Sequence, residues 1–178
     1  SDSTIFSNSA EYGGGIYGDD NSLITILDST ITTNTAISLG GGIYSRSTID
    51  ATNATILDNF SEDGGGIYGY DNSIITIIDS TISGNSAGNE GGGIYSRTAL
   101  TVTNSTISDN ASENGGGIYG VGDITIVDSD ITDNSVVGYG WENPPLGRGG
   151  GIHGSSGSTI TVTNSTISGN SVRNEDES

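Results

Sequence analysis

A block of about 25 residues recurs along almost the whole chain, which restricts the fold to architectures that stack one unit on the next. The unit is clearest from Gly91 to Asn110, GGGIYSRTALTVTNSTISDN. Its glycine-rich opening recurs with isoleucines at Ile16, Ile43, Ile67, Ile94, Ile118 and Ile152, in steps of 27, 24, 27, 24 and 34. Its ending places Ile5, Ile31, Ile56, Ile82, Ile107, Ile131 and Ile167 each three residues before Asn8, Asn34, Asn59, Asn85, Asn110, Asn134 and Asn170. One long step in an otherwise even series marks a single insertion.

The unit is built from strands rather than helices. Runs such as Leu23-Ile24-Thr25-Ile26-Leu27 and Thr159-Ile160-Thr161-Val162-Thr163 are β-branched and alternate with period two. Glycine and asparagine punctuate every run, as turns require and helices resist. Each period reads as three short strands: Gly-Ile-Tyr, an alternating Leu/Ile-Thr-Val/Ile-Thr run, and Ser-Thr-Ile-Ser/Thr. Winding them gives an all-β, right-handed, single-stranded parallel β-helix of about six coils, about 30 Å long at 4.8 Å per coil. Residues 1–178 form one domain, with 136–148 as an inserted loop and 171–178 as a charged C-terminal tail. The loop holds Tyr139, Trp141, Pro144 and Pro145, an aromatic, proline-stiffened segment suited either to contact or to folding back over the flank of the solenoid.

In such a fold, equivalent residues lie above one another, so columns carry the information. The six isoleucines of the glycine motif form one buried ladder. The closing asparagines form another, their amides hydrogen-bonding up and down the stack as in cross-β ladders. Tyr17, Tyr44, Tyr68, Tyr95 and Tyr119, with His153 as a tolerated substitution, form an outward, exposed aromatic row, which either simply stabilises adjacent strands by stacking or serves as a binding or assembly face. At the corner after the second strand, carboxylate and amide alternate as Asp28, Asn53, Asp79, Asn104, Asp128 and Asn164. This spaces like charges two coils apart. Ser45-Arg46 and Ser96-Arg97 fall on the amide coils, and Gly18, Gly69 and Gly120 on the carboxylate coils, a two-coil super-repeat. Outward threonines, among them Thr25, Thr76, Thr101, Thr125 and Thr161, make an array interrupted by Asp50, Leu57, Ile78, Val127 and Asp130.

The formal charge is -18, with four arginines and no lysine. That balance argues against nucleic acid and against anionic membrane as partners. No run approaches membrane-spanning length, and without cysteine there is neither disulfide framework nor thiol chemistry. Catalytic groupings are not evident. A polysaccharide lyase needs a base beside acidic ligands, and a hydrolase needs two convergent carboxylates. Asp109 and Asp133 stack on successive coils and are the candidate calcium pair, but they follow the repeat. No other cofactor is expected. Sequons stand at Asn53, Asn104, Asn110 and Asn164.

The alternation of Gly-Gly-Gly-Ile-Tyr with Thr-Ile-x-x-Asn from Ser3 to Asn170 resembles the right-handed β-helix repeats of secreted bacterial and archaeal surface proteins. It is most similar to the GGA-I and F-x-x-N repeats of the polymorphic outer-membrane, autotransporter adhesin family, with glycine for alanine and mostly isoleucine for phenylalanine. The resemblance implies display, adhesion or fibre building at an extracellular surface, and transfers no catalytic residue. The leading expectation is thus a non-enzymatic structural or adhesive β-solenoid: a stalk, or a fibre subunit stacking through uncapped ends onto itself or a longer solenoid. The alternative is a carbohydrate- or ice-binding module using the tyrosine or threonine rows. A polysaccharide lyase or hydrolase ranks third.

Overall fold

The computed structural model describes residues 2–138 and 147–174. Every regular element among them is a strand, and all pairings are parallel. The register confirms the column assignment: Ile67 pairs with Ile43 on one side and Ile94 on the other. Each coil, however, has four strands rather than three. One coil runs Ile67–Gly69, Ile75–Ile78, Thr81–Ser83 and Ser86–Glu90. The strands stack into sheets of six, six, seven and seven.

The fourth strand follows the asparagine column, where the sequence reads as a turn. Its inward positions hold Ala10, Ala36, Ser61, Ala87, Ser112 and Val136. Residues this small leave no period-two apolar signal, yet they let the chain pass close to the core. The same sheet revises the boundaries at both irregular segments. Ser135–Gly138 is a strand that pairs with Ser171–Asn174. Arg148 bridges to Asn114. The first part of the expected tail is therefore a strand, and the insertion shrinks to residues between 138 and 148.

Four inward aliphatic side chains per coil fill the interior. In the central coils Ile67, Ile75, Ile77 and Ile82 are fully buried and touch their counterparts Ile94, Leu100, Val102 and Ile107. Each such side chain contributes about 1.5–3 kcal/mol when removed from water. The expected ladder holds, with Ile43, Ile67, Ile94 and Ile118 at 0% exposure and the end members Ile16 and Ile152 partly covered.

Two polar ladders run inside the apolar stack. The Asn85 backbone N–H and Nδ2 both donate to Oδ1 of Asn110, at 2.9 and 3.0 Å. In turn Oδ1 of Asn85 accepts the same pair from Asn59. Nδ2 of Asn85 also donates to the Ile56 carbonyl, 3.0 Å away. One amide thus satisfies groups on three coils, and the pattern repeats at Asn34, Asn59, Asn110 and Asn134. At another corner the Ser80 hydroxyl accepts from the Ala54 N–H and donates to the Ile78 carbonyl. Ser105 and Ser129 do the same in succession.

The corners explain the other columns. Asp28, Asn53, Asp79, Asn104, Asp128 and Asn164 all have φ near +50°, a left-handed conformation that short Asx side chains tolerate. Across it Asn53 Nδ2 donates to Asp28 at 2.7 Å, and Asn104 donates to Asp79. Alternation therefore places a donor beside Asp28 and Asp79 as well as separating like charges. The super-repeat has a steric origin. Where Gly18 and Gly69 stand, a Cβ would lie 2.7 and 2.5 Å from the hydroxyls of Ser22 and Ser73. Ser45 and Ser96 on the alternate coils occupy that corner with their own buried hydroxyls. The middle glycine of each triplet is needed for contact, not for turning: a Cβ on Gly65 would sit 2.5 Å from the carbonyl oxygens of Gly92 and Ser86.

Replacing Asn85 by Ala orphans the Asn59 amide donors and the Ile56 carbonyl at once. Urea unfolding should show a loss of about 3 kcal/mol or more. The same change at exposed Asn8 should cost under about 1 kcal/mol. Equal losses at the two positions would contradict the three-coil role of the amide.

Candidate functional site

The tyrosine row stands on the outward face of the Ile-Tyr sheet, one residue after each core isoleucine. The rings of Tyr17, Tyr44, Tyr68, Tyr95 and Tyr119 stack nearly parallel, with centroids 4.4–5.6 Å apart and interplanar angles of 8–12°. The His153 ring meets Tyr119 edge-on at 4.8 Å. The row is not the exposed surface that the sequence implies. Tyr44, Tyr68 and Tyr95 are only 6%, 4% and 8% exposed, whereas Tyr17 is 49% exposed. Stacking hides the ring faces, and Leu39 and Tyr70 pack along the flanks.

Burial raises the phenols of Tyr44 and Tyr95 to about 12 and pushes Tyr68 further up, so these three rings stay neutral well into alkaline pH. Burial and the nearby Arg148 charge hold His153 below its usual value. Its Nδ1 is buried without a hydrogen-bond partner.

Beside the row runs a second stack that the sequence did not reveal. Tyr70 lies between two guanidinium groups, Arg46 at 5.3 Å and Arg97 at 5.0 Å from its ring centroid. Such contacts contribute about 0.5–1 kcal/mol each at exposed sites. A carboxylate stands outside each arginine: Arg46 Nε lies 3.2 Å from Asp20, without hydrogen-bond geometry, and Arg97 Nε lies 2.9 Å from Asp71. Spacing showed Arg46 and Arg97 in one column. It could not show that Tyr70, on the longer glycine-type turn between them, fills the gap.

At one end of the row these elements enclose a cavity of about 310 Å³, lined by Tyr12, Tyr17, Leu39, Tyr44, Arg46 and Tyr70. Tyr12 comes from the fourth strand, its ring 5.8 Å from Tyr44 and tilted by 51°. Its membership was not legible, because that strand itself was not. Further along, the same fourth-strand column continues as Leu39, Asp63, Glu90, Asn114 and Arg148. Here Asp63 is half-buried. Desolvation and then the Glu90 charge raise its carboxyl to about 6, although the Glu90 N–H donates to it at 3.2 Å.

The remaining candidates fall elsewhere. Asp109 and Asp133 occupy a left-handed turn column, with φ of +57° and +55°, that also holds Ser7, Thr33, Asp58, Gly84 and Gly169. Asx and Gly tolerate this conformation best, which gives the two aspartates a structural role at the turn. Among the described residues no group of three or more His, Asp or Glu side chains is placed to hold a metal ion. Thr4, Thr30, Thr55, Thr81 and Thr106 stack in unbroken register on the third sheet until Asp130 interrupts them. The row on the second sheet is broken by Asp50 between Thr25 and Thr76. Tyr139 and Trp141 lie outside the described residues.

A family model described as "Right handed beta helix region" matches residues 1–167. No curated protein and no solved structure matches the chain.

The raised Asp63 carboxyl makes a pH prediction. Between about pH 4 and pH 6 the folded chain binds more protons there than the unfolded chain, so stability falls as pH rises through that window. Asp63→Asn removes that proton. In thermal melts from pH 4 to pH 7 the variant should lose less stability than the parent. Parallel curves would show that Asp63 is not the group responsible.

Proposed function

Because the chain belongs to the right-handed β-helix family, we propose that it is a non-catalytic structural and adhesive rod displayed at an extracellular surface. The observation that carries this reading is where the polar side chains go. Asn and Ser groups on successive coils bind the next coil. The two arginines of the tyrosine face bind carboxylates and Tyr70. Repetition of this kind along the length suits a stiff element, since each added coil extends the same lattice.

The acidic surface, with a formal charge of -18, fits a protein that stays solvated and does not seek polyanions. The catalytic alternative would rest on Asp63 and Glu90, which stand in register on adjacent coils, because glycoside hydrolysis needs two carboxylates flanking one glycosidic bond. The interactions this reading expects are lateral or end-to-end association with like solenoids and contact with surface glycans.

Antibody against the purified chain should label intact source cells, and incubation with a panel of plant and microbial polysaccharides should release no reducing ends. Labelling confined to permeabilised cells would overturn the surface assignment. Steady release of sugar ends, abolished by Asp63→Asn or Glu90→Gln, would overturn the non-catalytic one.

A further inference from the structure

The cavity bounded by Tyr12, Tyr17, Leu39, Tyr44, Arg46 and Tyr70 is built from departures from the repeat. At the Tyr12 position the following coils carry Leu39, Asp63, Glu90 and Asn114. At the Tyr70 position the neighbours are Arg46, Arg97 and Val121, each donating its N–H to the preceding coil of the same corner. Coils without these tyrosines fold into the same lattice, so the solenoid itself does not require them. Their rings converge all the same: Tyr12 lies 5.8 Å and Tyr70 6.3 Å from Tyr44, tilted by 51° and 35°, while Tyr17 stacks on Tyr44 at 5.1 Å.

We infer that this cavity binds a neutral hexopyranose unit of a glycan. Three features select that chemistry. The volume, about 310 Å³, lies at the small end of ligand-binding clefts and admits one or two sugar rings. Differently tilted phenol rings offer an apolar face for the C–H side of a pyranose, with hydroxyl groups at their edges to give and accept hydrogen bonds. In the wall, Arg46 presents guanidinium N–H groups, held beside the Asp20 carboxylate at 3.2 Å. Such a fixed donor is what a sugar hydroxyl oxygen can accept from.

Charge decides between sugar classes. Arg46 is already neutralised by Asp20, with Asp19 next to it, and the whole chain carries -18. A uronate or a phosphorylated sugar would enter against that field with no uncommitted cation to meet it. The inference deepens the adhesive reading and rests on it only for where a glycan would be met. Binding is measured on the purified chain, so a failure here leaves the surface assignment standing, and the reverse holds as well.

The test is a protein-observed NMR titration with neutral glucose, mannose and galactose oligosaccharides and with their uronate counterparts. At least one neutral oligosaccharide should produce saturable shifts at the Tyr12, Tyr17 and Tyr70 rings, and every uronate should bind more weakly. Tyr12→Leu places at this position the residue that the next coil carries, so the fold is retained. It should weaken binding about tenfold, the worth of one ring contact. Arg46→Gln should weaken it by a similar factor. No saturable shift with any neutral sugar, tighter binding of a uronate, or unchanged affinity in Tyr12→Leu would overturn the inference.

Discussion

Everything in this molecule depends on the requirement that each coil present to the next an edge complementary in both hydrogen bonding and volume. Parallel pairing in register supplies the outer part of that edge, and the asparagine amide supplies the inner part. Because one Asn side chain serves three coils, shifting a coil by one residue would leave several buried donors and acceptors unmatched. Buried polar groups without partners are costly, so the amide ladder sets the register while the isoleucine stack supplies most of the driving force. The glycine triplet follows from the same need, since its middle residue rests within contact of two carbonyls of the following coil.

The inner columns therefore keep their apolar character and the outer ones are free to vary. Two inner columns are isoleucine throughout, and another changes only among aliphatic residues, from Ala51 to Ile77 to Val102. Outside, the fourth-strand column changes from Tyr12 to Leu39, Asp63, Glu90 and Asn114 without disturbing the pairing. Variation of this kind gives a monotonous scaffold a local character. It places an aromatic cavity toward one end of the tyrosine face and a half-buried carboxyl near its middle. It also explains why the tyrosine row is mostly covered. Rings stacked at the coil spacing shield one another, and the flanking Tyr70 and Arg97 seal the side.

Some of this organisation was legible from the chain alone because it repeats. The Ile67 to Ile94 stacking, the amide ladder and the carboxylate-amide alternation at Asp28 and Asn53 all follow from spacing plus the geometry of parallel strands. The serine ladder through Ser80 and Ser105 also recurs in the sequence, but serine at a turn has many uses and none stands out. The fourth strand was hidden because Ala36, Ser61 and Ala87 carry too little apolar surface to mark an inward face.

The amino-acid sequence by itself determined the parallel solenoid, the near-constant coil and the isoleucine and asparagine ladders, because identical residues at a fixed interval have one economical way to satisfy their backbones. Only the tertiary structure decided which outward residues meet. Tyr12, Tyr44 and Tyr70 come from different coils and different edges of the coil, and their convergence depends on corner angles and loop lengths that no interval encodes. Burial of Tyr68 and the environment of Asp63 were settled in the same way. A side chain's exposure is set by its neighbours across columns, and the repeat specifies only the neighbours within one.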